Sequence, residues 1–185
     1  MKHTLTSLAA IACLGLAATT AHATDGVINF TGQLVDVTCK VMVNGTPDSG
    51  AVNLPTLAVT AFANAGDTAG DTPFKIDLAN CSKDGIEVVT DFLPGPQINS
   101  AGRLTNMAGG GGAQNVELEI LDAVTTQPIK LADASQLTAT HATITDSAAT
   151  LPYVVRYYAT GSAATADAPT PGPVTSMVSF LLSYP

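Results

Sequence analysis

Gly26-Val27-Ile28-Asn29-Phe30-Thr31-Gly32-Gln33-Leu34-Val35-Asp36 runs into Cys39. In an extended chain it carries Gly26, Ile28, Phe30, Gly32 and Leu34 on one face and Val27, Asn29, Thr31 and Gln33 on the other. The segment lies ahead of Cys39, where nothing in the sequence pins it to its own domain. At the other end Val178, Phe180, Leu182 and Tyr184 alternate with Met177, Ser179, Leu181 and Ser183, and the sequence stops at Pro185. A last strand placed there is expected to have no successor to pair with.

Between these ends the chain reads as strands divided by turn formers. The first strand is predicted over Val27–Val43, where β-branched and apolar residues dominate; Phe74–Leu78 alternates strictly, and Ile86–Leu93 stops at Pro94-Gly95-Pro96. Further strands are predicted at Val116–Leu121, Ile129–Leu131, Leu151–Tyr158 and Val174–Tyr184, with Gly109–Gly112 and Gly161–Pro173 as flexible connections. No segment has a helical stripe; Ala132–Thr140 comes nearest and makes a short turn of helix at most. Seven or more short strands imply an all-β sandwich.

Composition sets the outer limits. Of 185 residues 46% are hydrophobic and 12% charged, which excludes a disordered polyelectrolyte and, with turn formers scattered throughout, a coiled coil. Seven basic against 15 acidic side chains give a formal charge of −8, so the chain has no electrostatic footprint for nucleic acid. Lys2 and His3, the apolar run from Leu5 to Ala18 and the small residues of Ala21-His22-Ala23 read as a secretory signal peptide over residues 1–23. The run is shorter than the ~20 residues of a spanning helix, so no membrane span is expected after cleavage. Loss of Lys2 with the leader takes the charge from −8 to −9. The remaining chain keeps Cys39 and Cys81, and an even count in an exported protein points to a disulfide. A bridge across about 40 residues contributes ~4 kcal/mol in the chain-entropy account. A zinc cluster would need more than two cysteines and His141, the one histidine after the leader.

Candidate chemical motifs are weak. Gly109–Gly112 is followed by no Gly-Lys-Ser/Thr, so a floppy loop is a better reading than a phosphate cradle. Asp67 and Asp71 have no EF-hand spacing, no Gly-x-Ser-x-Gly occurs, and His141 has no nucleophile motif beside it. The sequence therefore predicts neither catalysis nor a cofactor or metal site.

Taken together, Gly26–Asp36 running into Cys39, Phe74–Leu78 followed by Cys81, Val155–Gly161, and the closing strand with its penultimate Tyr184 resemble the pilin subunits of chaperone-usher fimbriae, in particular the major rod subunit of type 1-like pili. The resemblance implies an incomplete immunoglobulin-like β-sandwich that lacks its last strand and is completed by a donor strand. It implies a donor-strand extension over residues 24–36 and a pilin domain over 37–185, with Gly26, Ile28, Phe30, Gly32 and Leu34 as donor residues. Val178, Phe180, Leu182 and Tyr184 would form the groove edge on which a chaperone strand pairs, with the Pro185 carboxylate as its anchor. The implied partners are a periplasmic pilus chaperone, an outer-membrane usher and identical or related pilin subunits in a homopolymer. The implied location is the fimbrium at the cell surface, where the fibre supports adhesion. A minor or adaptor pilus subunit, or a secreted adhesive ligand-binding β-sandwich, is the alternative. Burial of Ile28, Phe30 and Leu34 at ~1.5–3 kcal/mol each would give about 5–9 kcal/mol. About eight strand hydrogen bonds at ~0.5–1.5 kcal/mol each would add a comparable amount.

Overall fold

Side-chain alternation decides the long strands. In β3 (Thr68–Ala79) Ile76 and Leu78 are buried, whereas Lys75 and Asp77 point to the opposite face and pair at 3.0 Å. The computed structural model describes residues 28–185, and the chain divides between Leu34 and Val35. Residues 28–34 contain no regular secondary structure, and every strand lies in the second unit.

Its remaining strands are β1 (Lys40–Val43), β2 (Thr46–Pro47), β4 (Glu87–Phe92), β5 (Leu104–Thr105), β6 (Val116–Asp122), β7 (Ala142–Thr143), β8 (Ala148–Ala159) and β9 (Phe180–Ser183). They form a six-stranded sheet in the order β2-β1-β3-β8-β6-β5 and a three-stranded sheet in the order β7-β4-β9, with every pairing antiparallel. No α-helix occurs among the described residues; the helical turn expected in Ala132–Thr140 is a 3-10 turn at Ala134–Thr138. The architecture is the all-β sandwich that the strand pattern implies.

The core collects the inward faces of both sheets: Ile76, Leu78, Leu118, Ile120, Leu151 and Tyr153 from the larger sheet meet Val88 and Phe92 from the smaller. The Tyr153 ring joins the layers, 5.4 Å from Phe74 and 5.5 Å, edge on, from Phe92. Burial pushes its hydroxyl up to about 12. On the other face of the larger sheet, Arg156 donates to Glu119 Oε2 from two nitrogens at 2.7 and 2.9 Å. Arg103 bonds Glu117 at 2.7 Å while lying 3.9 Å from the Tyr158 ring centroid. Charges on this face are thus partnered even where Glu119 is buried.

Several sequence readings change. Among the described residues, the strand predicted over Val27–Val43 is a strand only at Lys40–Val43, and Val174–Tyr184 only at Phe180–Ser183, with extended chain around it. Ile129–Leu131 forms no strand: Ile129 N–H reaches Ile120 O and Leu131 N–H reaches Gly102 O, two single bonds that leave no ladder. The two connections expected to be loose are docked on each other. Ala113 N–H donates to Pro173 O at 3.0 Å, Thr170 N–H to Gln114 O at 3.2 Å, and a β-carbon on Gly172 would lie 2.5 Å from Ala113 N and Gly111 O. There glycine serves close approach of two backbones rather than freedom. A register shift in β3 places Gly70 (φ +78°) and Asp71 in a bulge opposite Arg156 of β8.

Candidate functional site

β9 lies at the edge of its sheet. On one side it pairs with β4, Phe180 against Phe92 through Ser183 against Val89, and Leu93 N–H extends the ladder to Ser179 O at 2.8 Å. That bond makes Ser179, Leu181 and Ser183 the residues whose backbone groups face β4. Antiparallel alternation then turns the N–H and C=O groups of Val178, Phe180 and Leu182 to the open side. Side chains alternate as well: Val174, Ser176, Val178, Phe180, Leu182 and Tyr184 are half-buried, while Met177 and Leu181 are 65% and 57% exposed.

Along this open edge runs a groove of about 1130 Å³. One wall is Val174–Leu182; the other is the tip of β1 and the returning segment Asp48–Leu54, whose Val52 and Leu54 pack on the core. The floor is core itself: Phe74, Ile76, Phe92, Leu118, Ile120 and Val155. The returning segment crosses β1 so closely that a β-carbon on Gly50 would lie 2.6 Å from Val43 O. Only glycine permits that crossing, and the crossing sets the wall in place. A sandwich whose inner side chains line an open trough has an unfilled strand position between its two edges.

The Cys39–Cys81 disulfide expected from the sequence is present and spans 42 positions. It ties the residue before β1 to a residue just past β3, next to the Lys40–Ala79 pair that ends their ladder. Of the predicted groove-edge residues, Val178, Phe180 and Leu182 line the groove. Tyr184 packs partly buried on the core beyond the lining, its hydroxyl pushed up by burial, and Pro185 is exposed. Among the predicted donor residues, Ile28, Phe30 and Leu34 are 78%, 89% and 100% exposed, and Gly32 has open space where a side chain would stand. Gly26 and the expected signal peptide lie outside the described residues. Among the described residues no cluster of His, Cys, Asp and Glu is placed to hold a metal ion, and no helix is long and apolar enough to cross a membrane.

Sequence reasoning missed the groove's far wall and the device that holds β4. β7 covers the outer edge of β4 only at Glu87 and Val88. Farther along, the buried Gln136 takes the place of a strand: Phe92 N–H donates to its Oε1 at 3.0 Å, and its Nε2 donates to Phe92 O at 3.2 Å and Asp91 Oδ1 at 2.7 Å. Gln136 sits in the 3-10 turn that Asp133 caps through Ser135 N–H, so a short polar segment carries the clamp. His141 fastens the same segment, with Nε2 3.0 Å from Leu137 O and Nδ1 3.4 Å from Glu87 Oε2. The Leu137 carbonyl holds its imidazole above the usual histidine range against the opposing effect of burial, and Glu87 adds smaller pushes in the same direction as Leu137.

A fold of this kind, a two-sheet sandwich open along its last strand, is that of a pilin. The fimbrial protein family model matches residues 28–185. The major fimbrial subunit SMF-1 of Stenotrophomonas maltophilia (strain K279a) is 41% identical over 176 residues, which cover 92% of this chain and 99% of that protein. The F17 fimbrial protein of Escherichia coli is 38% identical over 179 residues, covering 91% and 94%. The crystal structure of the P pilus rod subunit PapA shares the fold with a TM-score of 0.54 at 20% identity, over 80% of this chain and 99% of that one. The chain belongs to the fimbrial protein family. It is a structural subunit of a fimbria at the cell surface.

Proposed function

We propose that this subunit polymerises by donor-strand exchange, residues 26–34 of one copy filling the groove of the next, and that the resulting homopolymer is the rod of an adhesive fibre. The observation that carries the reading is the groove itself: a trough of about 1130 Å³ floored by core residues and edged by the backbone of Val178, Phe180 and Leu182, which is unpaired among the described residues. An edge strand with an apolar floor beside it is an incomplete structure in water, and an extended segment with alternating apolar side chains completes it through ladder hydrogen bonds and buried area. The segment from Gly26 to Leu34 has that alternation, equals Val174–Leu182 in length, and leaves Ile28, Phe30 and Leu34 exposed. The division of the chain between Leu34 and Val35 supports an extension ahead of a separate pilin domain; on this reading the extension spans 24–36 and the domain 37–185, after a signal peptide over 1–23.

Before assembly the same groove is filled by a strand of a periplasmic chaperone, with Tyr184 and the Pro185 carboxylate anchoring the end of the contact, and the exchange occurs at an outer-membrane usher. On this reading the subunit performs no catalysis, and its work is assembly. The test is to express the full chain with and without its cognate chaperone beside a version lacking Thr24–Val35. Ladders that survive detergent at room temperature and dissociate on heating, given only by the full chain, are the expected result. Stable, soluble monomers of both versions without chaperone would mean that the sandwich is already complete and would overturn the reading.

A further inference from the structure

The piece of chain between the proposed donor and the first seated residue of the domain is very short. Leu34 is the last residue of the apolar alternation. From Val37 onward the chain is fastened to its own sandwich: Val37 and Cys39 pack on the core, Thr38 N–H donates to Ser82 Oγ at 3.1 Å, and Ser82 N–H donates to Thr38 O at 2.9 Å. Even Asp36 is held, its carboxylate 3.5 Å from Lys83 Nζ. The strap from Leu34 to Val37 spans at most about 11 Å when fully extended. A domain of this size has a radius of gyration on the order of 15 Å, so the strap draws the surfaces around its two ends together.

Both surfaces are built and exposed. At the base of the strap, Ser147 N–H donates to Asp84 Oδ1 at 2.8 Å and Cys81 N–H to Ser147 O at 3.0 Å, which ties the loop after the disulfide to the turn before β8. Asp36, Lys83, Asp84 and Asp146 are exposed there. The other surface depends on the donor's direction. Every ladder among the described strands is antiparallel, and a donor that continues this pattern runs against Val174–Leu182 and ends with Leu34 beside Val174. Val174 directly follows the two docked loops. Asn106 locks them, its Nδ2 donating to Ala113 O and Pro173 O while its Oδ1 accepts from Ala108 and Thr175 N–H at 3.0 and 2.9 Å. Residues 109–114 and 170–173 carry no charge, in a chain whose formal charge is −8. An acidic surface meets such loops without like-charge repulsion.

We propose that consecutive copies meet through a second interface outside the groove: loop 81–84 and turn 145–148 of the donating copy rest on loops 109–114 and 170–173 of the accepting copy, pressed together by the short strap. The inference rests on the donor-strand reading above. The test places the photo-cross-linking residue benzoylphenylalanine at the exposed position 114 of the full chain, with position 171 as a second site for the probe. Fibres are irradiated and then heated, so that ladders dissociate and only covalent dimers remain. Dimers whose cross-linked peptides map to residues 81–84 or 145–148 are expected from fibres, and none from the chaperone-bound subunit. A companion chain carries Gly-Ser-Gly-Ser inserted between Val35 and Asp36. Its donor run is intact, so ladders persist, while the longer strap is expected to lower the dimer yield about threefold or more. Ladders without such dimers, dimers that map elsewhere, or an equal yield with and without the insertion would each overturn the proposal. Failure of the wild-type chain to give ladders would instead overturn the donor assignment beneath it.

Discussion

Gln136→Leu tests whether a side-chain amide can stand in for a strand. The substitution keeps approximate volume and removes three hydrogen bonds, two of them to the backbone of Phe92 at 3.0 and 3.2 Å and one to Asp91 at 2.7 Å. Phe92 is 2% exposed, so neither of its backbone groups has water to turn to. A buried backbone group left unpaired costs about 1–3 kcal/mol, and two of them, offset in part by the added apolar contact, give an expected loss of about 2–4 kcal/mol. At a urea dependence of ~1–3 kcal/mol per molar, the unfolding midpoint of the mature chain falls by about 1–2 M. Amide exchange at Phe92 is the local readout and is expected to quicken by about tenfold or more, because the same opening is measured one bond at a time. Gln136→Glu is expected to be worse, since it keeps the acceptor for Phe92 N–H but sets a second carboxylate against Asp91. The consequence for assembly follows from the sheet order: β4 is what β9 is bonded to, and Phe92 is also groove floor. A midpoint within about 0.3 M of wild type, well inside the expected shift, together with unchanged Phe92 exchange would refute the reasoning.

Replacing Cys39 and Cys81 together by alanine is expected to cost about 4 kcal/mol, given the span of 42 positions, and to be seen as loss of the folded subunit on equilibrium unfolding. His141 has its folded-state pKa raised first by the Leu137 carbonyl and then by Glu87. Its contribution is therefore complete below the unfolded value of about 6.5 and lost as pH rises from there through the folded value. Melting at pH 5.5 and at pH 8 should show wild type losing more stability than His141→Gln across that interval; parallel losses would remove the histidine from the account. Phe30→Ala is expected to weaken donor insertion by about 3 kcal/mol or less and to lower the temperature at which ladders dissociate, with no change in the yield of monomer. Tyr184→Ala is expected to lower recovery of the chaperone-bound subunit from periplasmic extracts, and full recovery would contradict the anchoring role.

Much of this molecule is legible in its sequence because strand burial has a period of two. Ile76 and Leu78, Leu151 and Tyr153, and Phe180 and Leu182 each mark an inward face by alternation alone. The same rule marks Ile28, Phe30 and Leu34 as a face with nothing of their own to cover. Where a signal has two physical meanings the sequence misleads. The apolar run Ile129–Leu131 has strand composition, but its partners Ile120 and Gly102 offer one backbone bond apiece. Gly172 and the glycines around 111 resemble freedom in the sequence, and they are contact between two loops about 60 positions apart.

Local pattern therefore determined the inward faces of the long strands, the pairing of two cysteines, and the alternating apolar faces of Ile28–Leu34 and Val178–Leu182. Tertiary structure alone decided that Gly50 lets the chain recross β1 to build the second wall, that Gln136 closes the edge of β4 from 44 positions away, and that the Ser176 hydroxyl is buried without a partner. The physical reason is the range of the interactions. Alternation is a property of neighbours along the chain, whereas a backbone crossing, a surrogate strand and an orphan hydroxyl are properties of residues that meet only after the sheets have packed.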